Sequence, residues 1–360
     1  MNHTYSRAAL LGLLASPALA HADSPQLYGR LNVGVEHLRL RDGANDAPGV
    51  RLSNYRSVFG LRGSEALGGE LRVIWQVEGT LSPDTGAGAV AARDTRVGLE
   101  GSWGALFAGN WTTPYNSATS GLDPFYPTTA GYMSIMGNGS AASADNASDT
   151  SSFDRRQRNS LHYWSPAWRG WSLRLAHGLN EERPASGAKP SLSSGAVVYE
   201  GGNLYATLAH EQHREYRGSG LNDRGTKLAA AYRFSQTRLA LAVEQLRYET
   251  VGGKLERTAW YLSATHQAGP HGLRLGMAKT GDGKGETTER VGFVRAGGDT
   301  GAIHATLGYD YALSKRTSLF AFYTHLRNDS RGVYDFAINE LGMDAGATAH
   351  GASLGVRHAF

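Results

Sequence analysis

The chain has 360 residues with 47 glycines, 11 prolines and no cysteine, which excludes a disulfide scaffold and leaves room for one large domain or two ordinary ones. Lys and Arg number 36 against 32 Asp and Glu, a net charge of +4, and the arginines are spread along the chain rather than gathered in long blocks, which argues against a nucleic-acid partner. Beyond the N-terminus no apolar stretch approaches the roughly 20 residues of a spanning helix, so a membrane-embedded form has to be a closed β-barrel.

The N-terminus reads as a secretory signal. Arg7 precedes the apolar run Ala8 to Ala15, and Pro17 leads into small residues at Ala18, Ala20 and Ala22. Cleavage is expected after Ala20 or Ala22. Ala22 is preferred because Asp23-Ser24-Pro25-Gln26 then becomes a polar, extended N-terminus. Residues 1–22 are thus assigned to the signal and 23–360 to a single domain.

That domain alternates with period two in segments of about ten residues, each closed by Gly, Asn, Asp or Ser. In Leu71-Arg72-Val73-Ile74-Trp75-Gln76-Val77-Glu78 the odd positions suit lipid, whereas Arg72, Gln76 and Glu78 suit water. Strands are expected near 26–40, 50–64, 69–81, 91–101, 104–111, 157–166, 171–180, 195–201, 204–215, 224–234, 238–249, 256–267, 272–280, 301–311, 317–327 and 348–360. That makes sixteen, an even number, as single-chain bacterial barrels require. Short connections such as Gly101 to Gly104, Glu200 to Asn203 and Phe234 to Thr237 alternate with long ones such as Arg41 to Gly49, Glu181 to Ser194 and Arg327 to Thr348. Short turns on one rim and long loops on the other are the plan of an all-β, antiparallel transmembrane barrel. Tyr163-Trp164, Trp168 with Trp171, and Trp260-Tyr261 sit near strand ends, where an interfacial girdle would lie.

The insert from Trp111 to Arg156 is too long for an ordinary connection. Its first half, with Asp123-Pro124-Phe125-Tyr126-Pro127 and Tyr132-Met133, can pack against an inner wall. The second half, Gly137 to Ser152, is rich in Gly, Ser, Ala, Asn and Asp and is expected to be mobile or external. Parity places Arg30, Arg56, Arg62, Arg72 and Arg96 on the polar faces of the early strands, together with Glu36, Glu78, Asp94 and Glu100. Asp123, and after it Asp145, Asp149 and Asp154, are the candidate acids opposite them. Leu354, Val356, His358 and Phe360 share one face of the last strand.

These segments resemble the general porins of β-proteobacteria, including the neisserial and Burkholderia-type trimeric porins. The likeness is carried by Gln26-Leu27-Tyr28-Gly29-Arg30-Leu31-Asn32, by Phe59-Gly60-Leu61-Arg62-Gly63-Ser64-Glu65-Ala66-Leu67-Gly68-Gly69, and by Arg96-Val97-Gly98-Leu99-Glu100-Gly101-Ser102-Trp103-Gly104. Asn159-Ser160-Leu161-His162-Tyr163-Trp164-Ser165-Pro166 and Gly355-Val356-Arg357-His358-Ala359-Phe360 follow in the same order. The resemblance implies a sixteen-stranded, homotrimeric barrel in the outer membrane of a Gram-negative bacterium, with residues 111–156 folded into the lumen as the constriction loop. It implies passive diffusion of small hydrophilic solutes and ions, with an Arg-lined wall and a weak anion preference. Contact with outer-membrane lipid and lipopolysaccharide follows, as does recognition of Phe360, with Val356 and Leu354, by the barrel-assembly machinery. One departure is Gly109-Asn110-Trp111, where many members carry Gly-Arg-Gln; Asn110 and Trp111 are therefore expected at the constriction, with one basic residue lost and an indole gained.

No Gly-x-Ser-x-Gly elbow at a strand-to-helix junction and no His-Glu-x-x-His or Cys-containing zinc pattern is present, so neither an enzyme nor a cofactor or metal is expected. His210 and His213, three apart on a strand, are expected to face solvent. The rival readings are a substrate-selective channel for anionic or sugar solutes, a non-channel adhesion or structural barrel with a plugged lumen, and an outer-membrane hydrolase. The last would need a lipid-facing Ser and His close together.

Overall fold

The computed structural model describes residues 24–42 and 45–360, so the signal 1–22 and its cleavage at Ala22 lie outside the described residues. The staves are β1 (Gln26–Asp42), β2 (Asn45–Asn54 continued by Ser57–Gly68), β3 (Leu71–Ser82), β4 (Thr95–Gly101), β5 (Gly104–Thr112), β6 (Arg155–Trp164), β7 (Trp171–Gly178) and β8 (Ser191–Gly201). They continue as β9 (Leu204–Arg214), β10 (Asn222–Phe234), β11 (Thr237–Thr250), β12 (Gly253–Ala268), β13 (His271–Thr280), β14 (Ala302–Ala312), β15 (Thr317–Asn328) and β16 (Thr348–Ala359). Each pairs antiparallel with its sequence neighbour, and β16 closes on β1 in the register Val33↔Val356. The result is a closed, sixteen-stranded antiparallel barrel with no free sheet edge to satisfy.

Alternation decides which side each residue meets. On β16 Leu354 is 67% exposed while its neighbour Ser353 is 3% exposed, and Ser353 hydrogen-bonds Tyr55 across the interior. Leu27, Val97, Leu208, Leu228 and Leu354 on the outer face form an apolar band that a bilayer would cover. The same parity sets Leu354, Val356, His358 and Phe360 outward and Arg357, opposite Asn32, inward.

The second stave departs from simple alternation. Arg51, Ser53 and Tyr55 all reach the inward Glu36, whereas below them Val58, Gly60 and Arg62 pair with the inward Arg30, Tyr28 and Gln26. The shift of one residue takes place at Arg56, whose φ of +53° puts a kink between the halves. The stretch expected as one strand over 50–64 is thus two segments with opposite inward parity.

Three other expectations are corrected. The supposed long connection Arg41 to Gly49 is largely ladder, with β1 and β2 paired as far as Asp42↔Asn45. Trp164 and Tyr261 do not belong to the girdle, because neighbours on a strand face opposite sides; Tyr163 stacks outside on Trp103 at 6.5 Å while Trp164 packs inside on Phe107 at 5.4 Å. Trp103, Trp168, Trp171, Tyr232, Phe234, Tyr309 and Tyr311 instead gather at the rim of short turns. Gly137 to Ser152 is folded into the barrel: Ala141–Ala144 pairs parallel with β6, and Asn138 is buried with its amide on Tyr248 and the Val291 carbonyl.

Candidate constriction site

The insert follows β5 and runs across the inside of the barrel. Thr113 caps a short helix, Pro114–Ser120, by accepting the Asn116 N–H, and Pro114 opens it without losing a needed donor. From the helix the chain meets one strand after another. Tyr205 donates to Ala118 O, Lys227 to Thr119 Oγ1, Arg238 to Gly121 O, Ser263 to Leu122 O, and Arg274 to Pro124 O. Each anchor is an inward-facing side chain, so the wall of β9 to β13 is fitted to four carbonyls of the insert and to the Thr119 hydroxyl.

Glu244 is the centre of this attachment. Its carboxylate accepts from the Tyr115 hydroxyl at 2.9 Å and the Gly137 N–H at 2.8 Å, and it pairs with Lys227 at 3.3 Å and Arg257 at 3.2 Å. All three charged groups are buried, and such a cluster holds only while each partner remains. Glycines clear space for the insert's rings. A Cβ on Gly308 would stand 2.6 Å from Phe125, and one on Gly225 would stand 2.8 Å from Phe153.

Asp123 belongs to this attachment and does not face the arginines, which corrects the expectation that it opposes them. Its carboxylate accepts from the Phe125 and Tyr132 N–H groups and from the Tyr261 hydroxyl at 2.7 Å. Burial pushes its pKa up to about 6, against the downward pull of those three donors. Asp145 accepts within its own turn, from Ala147 and Ser148. Asp154 does lie toward the arginines: Ser140 Oγ is 3.2 Å from its carboxylate and accepts from Arg56 at 2.7 Å.

The opposite wall, β16 through β4, carries charge differently. Every acid that parity placed there has an arginine: Glu36 pairs with Arg51, Glu78 with Arg93, Asp94 with Arg156 and Glu100 with Arg72. Arg30, Arg56, Arg62, Arg96 and Arg357 have no ion pair among the described residues. Arg30 donates to Arg56 O and Arg62 to Gln26. Arg96 instead stacks over Trp111 at 4.3 Å and Phe107 at 4.5 Å. Trp111 is buried beneath it, and Asn110 is engaged at both ends of its amide, by Arg93 O and Ser143 Oγ. The added indole therefore supports an arginine, and Asn110 ties the insert to β5.

Sequence reasoning missed Arg93, Arg156 and Arg357. Arg357 was legible, since it alternates against Leu354 and Val356. Arg93 and Arg156 lie at or beyond the ends of the regular alternation, where parity has no force.

The outer surface bears on the hydrolase reading. His177 Nδ1 stands 3.1 Å from Ser193 Oγ on the outward faces of β7 and β8. The same cross-strand arrangement recurs at His210–Thr226, Thr237–His266 and Thr317–His358, so it is a packing habit of this barrel. No further hydrogen bond orients the His177 ring among the described residues, and a nucleophile's base needs such a partner. His213 corrects its expectation too. It is buried on Glu211 and stacked 4.1 Å from Phe153, because three residues along a strand reverse the face. Among the described residues no group of His, Asp and Glu could hold a metal.

Comparison with known proteins agrees with this architecture. A family model described as Gram-negative porin matches residues 8–331. Outer membrane porin protein 32 of Delftia acidovorans is 28% identical over 365 residues, covering 98% of each chain. An outer membrane porin protein of Bordetella pertussis is 25% identical over 409 residues and the full length of both. Among solved structures, an anion-selective porin from Comamonas acidovorans superposes with a TM-score of 0.80 at 24% identity, covering 94% of this chain and all of that one. OmpT of Vibrio cholerae reaches 0.67 at 15% identity, over 93% and 97%. With its closed barrel, apolar outer band and arginine-bearing lumen, this chain belongs to the Gram-negative porin family and forms an outer-membrane channel for small solutes.

Proposed function

We propose that the channel passes small hydrophilic solutes and ions passively with a weak preference for anions, and that residues 111–156 set its narrowest part. The observation that carries this reading is the set of five inward arginines without ion pairs among the described residues, Arg30, Arg56, Arg62, Arg96 and Arg357, on a wall whose inward acids Glu36, Glu78, Asp94 and Glu100 are each paired. Rings of fixed charge bias ion passage by sign. The narrowing is supported by the anchoring of the insert on β9 to β13 and by its approach to Arg56 and Arg156, which donates to Ala142 O. The Comamonas relative's description as anion-selective points the same way.

We also infer three properties from the family resemblance: association as a homotrimer, removal of residues 1–22, and recognition of Phe360, Val356 and Leu354 by the assembly machinery. Contact with lipopolysaccharide has the apolar outer band as its support. A channel of this kind acts by geometry and field, without bond chemistry.

Reconstitution in planar bilayers under a KCl gradient tests the proposal. Conductance in steps grouped in threes, with a reversal potential of the sign for chloride over potassium, is expected. A cation-selective reversal potential would reject the assignment of the wall.

A further inference from the structure

On the outside of the barrel the sheet face from β12 to β1 is not a uniform apolar band, because small and large side chains alternate across its strands. Two furrows run down it. The first, of about 550 Å³, opens where Ala264 and Ala305 stand between Leu262, Leu275, Leu307 and Tyr323. The second, of about 630 Å³, opens where Ala321 and Ala352 stand between Val35, Leu354, Tyr309 and Tyr323. Leu307 pairs with Tyr323 across β14 and β15 and lines both, so these two side chains form the ridge between the furrows.

Positive charge gathers at one end of this face. Lys279, Ile303 and Arg327 pair in register across β13, β14 and β15, in the outward row nearest the long loops. With strands about 4.8 Å apart, the backbones of Lys279 and Arg327 stand roughly 10 Å apart on either side of Ile303, so both long side chains reach one anion between them. One row nearer the furrows, His325 lines the first and is directly opposite His350 on β16, with ring centroids 6.1 Å apart. Neither ring has a hydrogen-bond partner among the described residues. The outward faces of β13, β14 and β15 carry no acid; the nearest along the chain, Asp329, follows the end of β15.

We propose that this face docks one phosphorylated lipid with several acyl chains, the chemistry of the lipopolysaccharide anchor, with its chains in the two furrows and a phosphate held between Lys279 and Arg327. The phosphate takes charge-assisted hydrogen bonds from the ammonium and the guanidinium. Short turns face the periplasm in barrels of this kind, so the charged row lies at the external headgroup level and the furrows reach into the leaflet below it. The order along β15 is that of an amphiphile, from Arg327 through His325 to Tyr323 over about 13 Å. Chains of any membrane lipid fill the furrows, since no hydrophobic force favours one over another inside a bilayer, and the phosphate therefore supplies the selectivity. The inference rests on the lipopolysaccharide contact proposed above and narrows it to one place and one headgroup chemistry.

Diphosphorylated lipid A is the probe. It is titrated into the folded protein in detergent, with EDTA present so that no divalent cation bridges the phosphate to Asp329, and retained lipid is counted by native mass spectrometry. Saturable binding of one lipid per protomer is expected, about tenfold tighter than for the same lipid stripped of its phosphates, the size of one charged hydrogen bond. K279Q/R327Q should weaken binding about tenfold for the same reason. A305L fills the first furrow with every charge kept and should weaken it about threefold through lost chain contacts. R214Q/R224Q removes two exposed outward charges at the same rim on β9 and β10, more than a screening length from the furrows, and should change binding less than about twofold. Equal losses in the two double variants, or equal binding of the dephosphorylated lipid, would overturn the site and leave the general lipid contact of the outer band standing. A wild type that retains no lipid would overturn both, while conductance in bilayers tests the channel reading separately.

Discussion

The two inner walls of the barrel bear charge in opposite ways. On β10 to β12 the insert covers Glu244, Lys227 and Arg257, and the charges there are matched and sealed. On β16 through β4, arginine exceeds acid and the surplus faces open space. The first arrangement fixes a backbone. The second leaves a field for solutes to feel, at little cost in stability, since exposed charges are solvated and screened.

The largest effect is expected on the covered wall. E244A removes the acceptor of the Tyr115 hydroxyl and the Gly137 N–H and strands two cations. A loss of about 3–5 kcal/mol in the docking of the insert is expected. Because the strand ladders stay intact, the outcome should be a loosened insert in a folded barrel. Chymotrypsin cleavage within 111–156 should rise sharply and channel current should become noisy. An insert as resistant as the wild type would remove Glu244 from its central place.

Asp123 offers a pH-dependent test of the same wall. Its pKa in the folded state is about 6 against an ordinary 3.8, so the docked state holds the proton more tightly. The docking contribution is therefore full below about pH 4, falls as pH rises toward 6 and is level above that, a change on the order of 3 kcal/mol. Protease resistance of the insert should decline over that window in the wild type and stay flat in D123N. A rise with pH would reverse the sign and reject the buried-acid account.

These tests also mark what the sequence could disclose. The sixteen staves were legible because alternation and turn residues recur in stave after stave and each repeat constrains the next. The inward direction of Arg30, Arg62, Arg72 and Arg96 followed from the same rule. Arg56 came out inward for the wrong reason: parity counted it into a straight strand, whereas a positive φ turns the chain there and reverses the pattern above it. The role of Asp123 was illegible because no periodicity governs an insert. A carboxylate flanked by Pro and aromatic residues can face water or close a turn, and only the position of Tyr261 on β12 decides it.

On the facing wall the effects are smaller and electrical. R56Q takes away an unpaired charge beside Ser140 and Asp154. Its stability should change by no more than about 1 kcal/mol, while the reversal potential in a KCl gradient moves toward zero. An unchanged potential would mean that Arg56 is held by Ser140 for structure alone.

The smallest effect, and the finest division between the walls, is expected at Arg72 and Glu100. This pair is 2.6 Å apart and half-exposed, so it resembles the covered wall in its matching and the facing wall in its solvation. If solvation governs, R72Q should cost less than about 1 kcal/mol and shift selectivity slightly toward cations, because Glu100 is then unopposed. The double variant R72Q/E100Q removes both signs and should return the reversal potential close to the wild-type value at low salt. In about 1 M salt, where the screening length is near 3 Å, all three proteins should become indistinguishable. If matching governs instead, R72Q would loosen the barrel near the turn between β3 and β4 and the double variant would restore its thermal stability. Thermal unfolding and reversal potential on the same three proteins separate these outcomes.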